Sequence, residues 1–293
     1  MKVAFLILAH DQPDHLAKLV KRLSSDWARV FIHIDGKVDV TPFQERIPEE
    51  NGKVVFLGDE YREAVNWSGF STVSATLRLL QSSLEGRERF DRFCLLSGSD
   101  FPTRSLNHIY DGFSSQKEFI RIDRRLDASD DNDHCYNVRH YHFMDGPCLG
   151  KAAHGDIREV YSDISLYHGS QWWSLTDKCV NHVMDFVGRN LDYSEFHKYT
   201  HCPDEIFFHS IVKSSPFSAN ITHDFELVDD LESFYALNQH GCHYVDWTSE
   251  GVPLPKVLDE TDLNNLLSSQ AYFARKFREG QSDKLLEALQ RVV

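Results

Sequence analysis

The sequence predicts an α/β fold, doubly wound around a mostly parallel sheet with helices on both faces, on three observations. Through residues 1–125, short runs rich in β-branched and aromatic residues alternate with segments whose apolar residues recur at helical spacing. Such alternation builds strand–helix–strand crossovers, and crossovers make neighbouring strands parallel. Second, the apolar run Phe93–Leu96 stops abruptly at Ser97-Gly98-Ser99, then Asp100, then Phe101-Pro102. That reads as a buried strand entering a loop at the sheet's C-terminal edge, where open α/β sheets bind ligands. Third, no linker, repeat or low-complexity tract divides the 293 residues, so a single domain is expected, with halves at 1–125 and 126–293.

Val3–Ala9 is the first strand. Its seven apolar residues are too few to span a membrane, and His10-Asp11-Gln12-Pro13 follows where a signal peptide would place small residues. The expectation is a cytoplasmic protein without a transmembrane segment, with peripheral contact at the inner face of the membrane left open. Pro13 opens a helix with Leu16, Leu19, Val20 and Leu23 on one face. Val30–Ile34 and Val54–Leu57 read as strands, and Ser71–Leu84 as a helix on Val73, Leu77, Leu80 and Leu84. Arg92–Ser97 is a strand, Leu106–Phe113 a helix, and Phe119–Ile122 a strand. From Asp127 to His168 the pattern fails, and a stretch this long inside one domain is usually functional. Order returns with a strand at Gln171–Leu175 and a helix from Asp177 carrying Val180, Val183, Met184 and Val187. Another helix begins at Pro203, a strand runs His243–Trp247, and helices carry Leu263, Leu266 and Leu267, then Leu285, Leu286 and Leu289.

Composition narrows the function. Apolar residues make up 41% and aromatic ones 12%, ample for a core. Thirty-one basic against 45 acidic residues give a net charge of −14, which argues against a nucleic-acid partner. Six cysteines are scattered with no Cys-x-x-Cys pair, so zinc spacing is absent and reduced thiols are expected. No GxGxxG, Walker, GxSxG or HExxH motif is present.

Seven short motifs follow one another along the chain. They are Phe5-Leu6-Ile7-Leu8-Ala9-His10, Phe31-Ile32-His33-Ile34-Asp35, Asn66-Trp67-Ser68-Gly69-Phe70-Ser71 and Leu95–Pro102. After these come Gly169-Ser170-Gln171-Trp172-Trp173-Ser174-Leu175, Pro203-Asp204-Glu205-Ile206-Phe207-Phe208 and Phe273-Ala274-Arg275-Lys276-Phe277. From about Val3 to Phe277 this series resembles the Core-2/I-branching family of glycosyltransferases, which holds β-1,6-N-acetylglucosaminyltransferases, peptide O-xylosyltransferases and many bacterial members. The resemblance implies a GT-A fold with residues 1–125 as the nucleotide-sugar half and 126–293 as the acceptor and catalytic half. It implies inverting, metal-independent transfer from a UDP-sugar to a carbohydrate acceptor through a β bond, as in bacterial surface polysaccharide assembly. GlcNAc is the first choice of sugar and xylose the second, and no cofactor beyond the donor is expected.

Inverting transfer needs a base for the acceptor hydroxyl and positive charge for the departing diphosphate. Pro203 at a helix start puts Asp204 and Glu205 in the first turn, where acids also serve simply to complement the helix dipole. The resemblance gives Glu205 the role of base. It gives Lys276 the role of diphosphate neutraliser, alongside an upstream arginine that this chain replaces with His243; Arg275 or Arg278 is the expected compensation. His10 and Asp35 end early strands, as a surface histidine and a capping aspartate do, and the resemblance places uridine contacts at both. Asp100 is expected to orient the donor or acceptor. A lone carboxylate there makes two-carboxylate metal chelation unavailable; Asp131-Asn132-Asp133 has the letters of a metal motif but sits in an acidic stretch that reads as solvated. Trp172 and Trp173, adjacent in a strand, should face opposite ways, one into the core and one toward a sugar; Trp67 has the same ambiguity. Arg139 and Tyr141 are acceptor-binding candidates. Two rival functions stay open: a glycoside hydrolase using Asp100 and Glu205, and a nucleotide-sugar-binding protein without turnover.

Overall fold

The computed structural model describes residues 1–48, 52–126, 133–146, 158–227 and 237–292. In chain order the first half holds β1 (Val3–Ala9), α1 (Pro13–Leu23), β2 (Ala28–Ile34), α2 (Thr41–Gln44), β3 (Val54–Phe56), α3 (Phe70–Glu85), β4 (Arg92–Ser97), β5 (Phe101–Pro102), α4 (Leu106–Phe113) and β6 (Glu118–Leu126). The second holds α5 (Asp133–Arg139), β7 (Leu166–Gly169), β8 (Ser174–Thr176), α6 (Asp177–Arg189), α7 (Leu191–His197), α8 (Phe207–Lys213), β9 (Ile221–Asp224), β10 (Gln239–His240), β11 (His243–Val245), α9 (Leu263–Ser268), β12 (Phe273–Arg275) and α10 (Asp283–Val292).

The main sheet runs β3-β2-β1-β4-β8-β6-β7, with β9 also paired to β6. Strands β3, β2, β1 and β4 are mutually parallel, as strand–helix alternation requires. Beyond β4 the neighbours β8, β6 and β7 run antiparallel, while β9 is parallel to β6, so the uninterrupted parallel block belongs to the first half. A second sheet, β10-β11-β12-β5, packs beside it. The period of two along β1 shows how both faces are covered. Val3, Phe5 and Ile7 enter one core with α1, α10 and the second sheet, while Ala4 and Leu6 enter the other with α3, α6 and α8.

Several expectations are corrected. The strand expected at Gln171–Leu175 is Ser174–Thr176, and the one expected at His243–Trp247 ends at Val245. Pro203–Glu205 is a single 3-10 turn, and the α-helix starts only at Phe207. Helices α2, α5 and α7 and strands β5, β7, β9, β10 and β12 had no counterpart in the sequence reading. Cys94, Cys135, Cys179, Cys202 and Cys242 are free thiols; Cys148 lies outside the described residues. Among the described residues no helix is long and apolar enough to cross a membrane.

Candidate active site

The C-terminal ends of β1, β2 and β4 meet at one edge. The Asp35 amide donates to the Ala9 carbonyl (2.9 Å) and the Gly98 amide to the Leu8 carbonyl (2.8 Å), so His10, Asp35 and the Ser97–Asp100 loop are neighbours. The His10 side chain is 67% exposed, with Asp11 Oδ2 3.8 Å from its Nε2. Asp35 is nearly buried. One of its oxygens accepts from the Lys37 and Val65 amides (2.9 and 3.3 Å), and the other lies 3.8 Å from the Lys37 ammonium.

Asp100 is 0% exposed. Its Oδ2 accepts from the Ser97 amide at 2.7 Å and lies 3.1 Å from His243 Nε2. Its Oδ1 accepts from the Ser97 hydroxyl and stands 3.6 Å from Arg275 Nε. Burial would raise the Asp100 carboxyl, but His243 and Arg275 hold it below the ordinary aspartate range. The carboxylate is therefore a tie from β4 to β11 and β12, reinforced where Phe101 pairs with Ala274. Both oxygens are engaged inside the protein, a different use of Asp100 from the donor or acceptor contact expected of it.

His243 is corrected too. It is fully buried, between Trp172 (ring centroids 5.7 Å apart) and Phe273 (5.5 Å), so it does not line an open diphosphate site. Burial would lower its pKa, but the Cys242 sulfur and Asp100 raise it to about 9. Arg275 takes the more forward place, with its guanidinium 4.1 Å above the Trp172 ring. Trp172 and Trp173 are both buried. Trp173 packs on Phe208 and Trp172 is the floor beneath Arg275, so the expected outward tryptophan is absent, because both lie ahead of the short strand that was to alternate them. Lys276 is half-buried, and among the described residues no hydrogen bond or ion pair occupies its ammonium group. Burial, then Arg275 and Arg278, lower its pKa. The Phe277 amide bonds the Ser99 carbonyl at 2.8 Å, tethering this segment to the Asp100 loop.

Glu205 sits on the 3-10 turn, preceded by Cys202 at φ 48°, whose amide donates to the Ser68 carbonyl at 2.9 Å. Its side chain is 35% exposed, and Oε2 lies 3.4 Å from His168 Nε2. Burial and the neighbouring Glu205 carboxylate push the Asp204 carboxyl upward, while His168 and Arg275 pull it down. Asp204 thus lies within electrostatic reach of Arg275, which joins the base candidate to the cationic segment some 70 residues on. Behind Glu205 stand residues the sequence reading missed. His168 Nδ1 is 3.1 Å from Asp123 Oδ2, and Arg121 Nε donates to the other Asp123 oxygen.

Past His201, Trp67 is 80% exposed and edge-on to the His201 ring at 5.9 Å. Tyr141 packs on Phe143 and Tyr199, and Arg139 closes α5. These lie in a separate aromatic group beyond His142 and His201, whose rings are 5.2 Å apart. Among the described residues no three His, Cys, Asp or Glu side chains are grouped to hold a metal ion; Asp131 and Asn132 lie outside the described residues.

Among solved structures, the galactosyltransferase LgtC with donor and acceptor sugar analogues is similar over 99% of this chain and 93% of that one, at 9% identity and a TM-score of 0.43. The bifunctional WbbM is similar over 98% and 50%, at 10% identity and 0.41. Xylosyltransferase 2 of Mus musculus is 25% identical over 300 residues, covering 99% of this chain and 33% of the relative. Xylosyltransferase 1 of Canis lupus familiaris is 25% identical over 308 residues, covering 99% and 30%. The chain spans about a third of the length of these relatives. The model of the Core-2/I-branching enzymes matches residues 3–266; the chain belongs to the Core-2/I-branching enzyme family.

Proposed function

We propose that the chain is an inverting glycosyltransferase domain of GT-A type that moves a sugar from a UDP-sugar to a carbohydrate acceptor through a β bond, without a metal. The observation that carries this reading is the electrostatic interaction of Asp204, next to Glu205 on the turn, with Arg275, which precedes Lys276 in the segment tethered to the loop after β4. In the reaction the acceptor oxygen attacks the anomeric carbon as the bond from that carbon to the diphosphate oxygen breaks. The acceptor proton passes to the Glu205 carboxylate, and the electron pair leaves on the diphosphate, facing Arg275 and Lys276. His10 and Asp35 contact the uridine. The names of the related xylosyltransferases move UDP-xylose ahead of UDP-GlcNAc, reversing the order drawn from sequence alone.

The test is a transfer assay with both donors and a panel of sugar acceptors, with and without EDTA, on wild type and Glu205→Gln. Loss of a general base costs about 10²–10⁴-fold in rate, so the variant should lose turnover on that scale while UDP affinity stays nearly unchanged. Wild-type turnover in Glu205→Gln would remove Glu205 as base. Loss of wild-type activity in EDTA, restored by manganese, would refute metal independence. UDP binding with no turnover of either donor would leave a nucleotide-sugar-binding protein.

A further inference from the structure

We propose that His168, clamped by Asp123, is the positioning residue for Glu205. The proposal rests on Glu205 being the base. Its ground is the geometry of β6 and β7. Their pairing shifts register between Ile122 and Arg124, so the extra residue is Asp123. A bulge of this kind re-aims a side chain, and here it points the Asp123 carboxylate at His168 on the partner strand. Arg121 holds the other carboxylate oxygen and also donates to the Gln239 carbonyl at 3.0 Å, so the clamp is itself fixed. With Nδ1 bound to Asp123 at 3.1 Å, the ring is oriented so that Nε2 faces Glu205 Oε2 at 3.4 Å. Gly169 lets the strands come this close, since a Cβ there would stand 1.9 Å from the Arg121 carbonyl oxygen.

The charges give the ring a second task. Among the described residues, the titratable and charged groups around His168 and Glu205 include Asp123 and Arg121 on β6, Asp204, Cys202 and His201 at the turn, and His209 on α8. Burial drives His209 down to about 4, so it is neutral. Burial would lower His168 as well, but the hydrogen bonds to Asp123 and Glu205 raise it to about 9, leaving an imidazolium at neutral pH. The His168 imidazolium therefore faces the Glu205 carboxylate across 3.4 Å as a fixed cation. During transfer Glu205 takes the acceptor proton and releases it to solvent, while His168 keeps its own.

The experiment is a pH profile of kcat and kcat/KM, with UDP affinity, for wild type, His168→Gln, His168→Lys, Asp123→Asn and Glu205→Gln. An opposite charge facing a carboxylate favours its ionised form, so His168→Gln should move the acid limb upward, with UDP affinity unchanged. Asp123→Asn should move it the same way by less, and His168→Lys, which keeps a cation, should restore it in part. A uniform loss of kcat at every pH, or an unmoved acid limb, would overturn the proposal. If His168→Gln does not fold, Asp123→Asn decides by the same criterion. Normal turnover in Glu205→Gln is a different failure, which falls on the base assignment itself.

Discussion

Replacing Asp100 with alanine removes a carboxylate whose two oxygens serve four partners: the Ser97 amide and hydroxyl, His243 and Arg275. The side chain left in greatest difficulty is His243, which is 0% exposed and is charged at neutral pH because of the groups around it. Removing one partner of a buried ion pair costs about 3–5 kcal/mol, because the other charge stays buried without compensation. An unfolding entropy of about 2.1 cal/mol/K per residue, over 293 residues, converts that loss to a fall in Tm of about 5–8 °C. Asp100→Asn keeps hydrogen-bonding capacity and should fall by less.

The pH dependence fixes the sign. The folded pKa of His243 is raised from 6.5 to about 9, so its contribution is full below 6.5 and is lost as pH rises through about 9. The folded pKa of Asp100 is depressed below 3.8, so its contribution is present above that value and is lost as pH falls through the lower folded pKa. The gap in Tm between wild type and Asp100→Ala should therefore be widest between about pH 3.8 and 6.5, shrink through the neutral range and be smallest above about pH 9. Thermal melts across that range measure it directly. A neutral-pH Tm for Asp100→Ala within about 1 °C of wild type, against the 5–8 °C expected, would refute the buried tie.

Lys276→Ala should weaken binding of UDP far more than of uridine, because uridine lacks the diphosphate; calorimetric titration of both ligands checks this, and equal losses would refute the diphosphate role. Gly169→Ala should destabilise by about 1–3 kcal/mol through overpacking, since the new Cβ meets the Arg121 carbonyl oxygen at 1.9 Å and His209 Cδ2 at 2.5 Å. A melt of that variant unchanged from wild type would show that β7 has room to move away from β6.

The parallel half of the fold was legible because its strands and helices are long enough to show their own periodicity. Val3–Ala9 and Arg92–Ser97 stand where the sequence placed them, and the helix from Pro13 ends at Leu23. Strands β5, β10 and β12 are two or three residues long, below any period that a window can detect. They exist because distant segments meet: Phe101 pairs with Ala274, and His243 with Phe273. Side-chain direction was equally hidden. Asp100 is at the ligand edge, as its motif implied, yet Ser97, three residues earlier, and His243, far along the chain, turn its carboxylate inward.

The same hidden pairing recurs on the other side of the site, and the repetition explains how groups so far apart in sequence are held. Asp100 holds His243 against the strand that carries Arg275, while Asp123 holds His168 against Glu205. In both, a carboxylate helps to raise an imidazole to about 9, with the Cys242 sulfur the larger cause at His243, and the resulting pair stands behind a more exposed side chain. The arrangement balances charge locally, so a chain of net charge −14 can still carry a cationic segment beside the ends of the parallel strands. It also accounts for which residues the motifs revealed. Glu205, Arg275 and Lys276 lie in compact local signatures that a sequence displays. Their supporting histidines were readable only as isolated residues, because His168 and Asp123 are 45 positions apart and His243 and Asp100 are 143 apart. Only the sheet pairings bring them together.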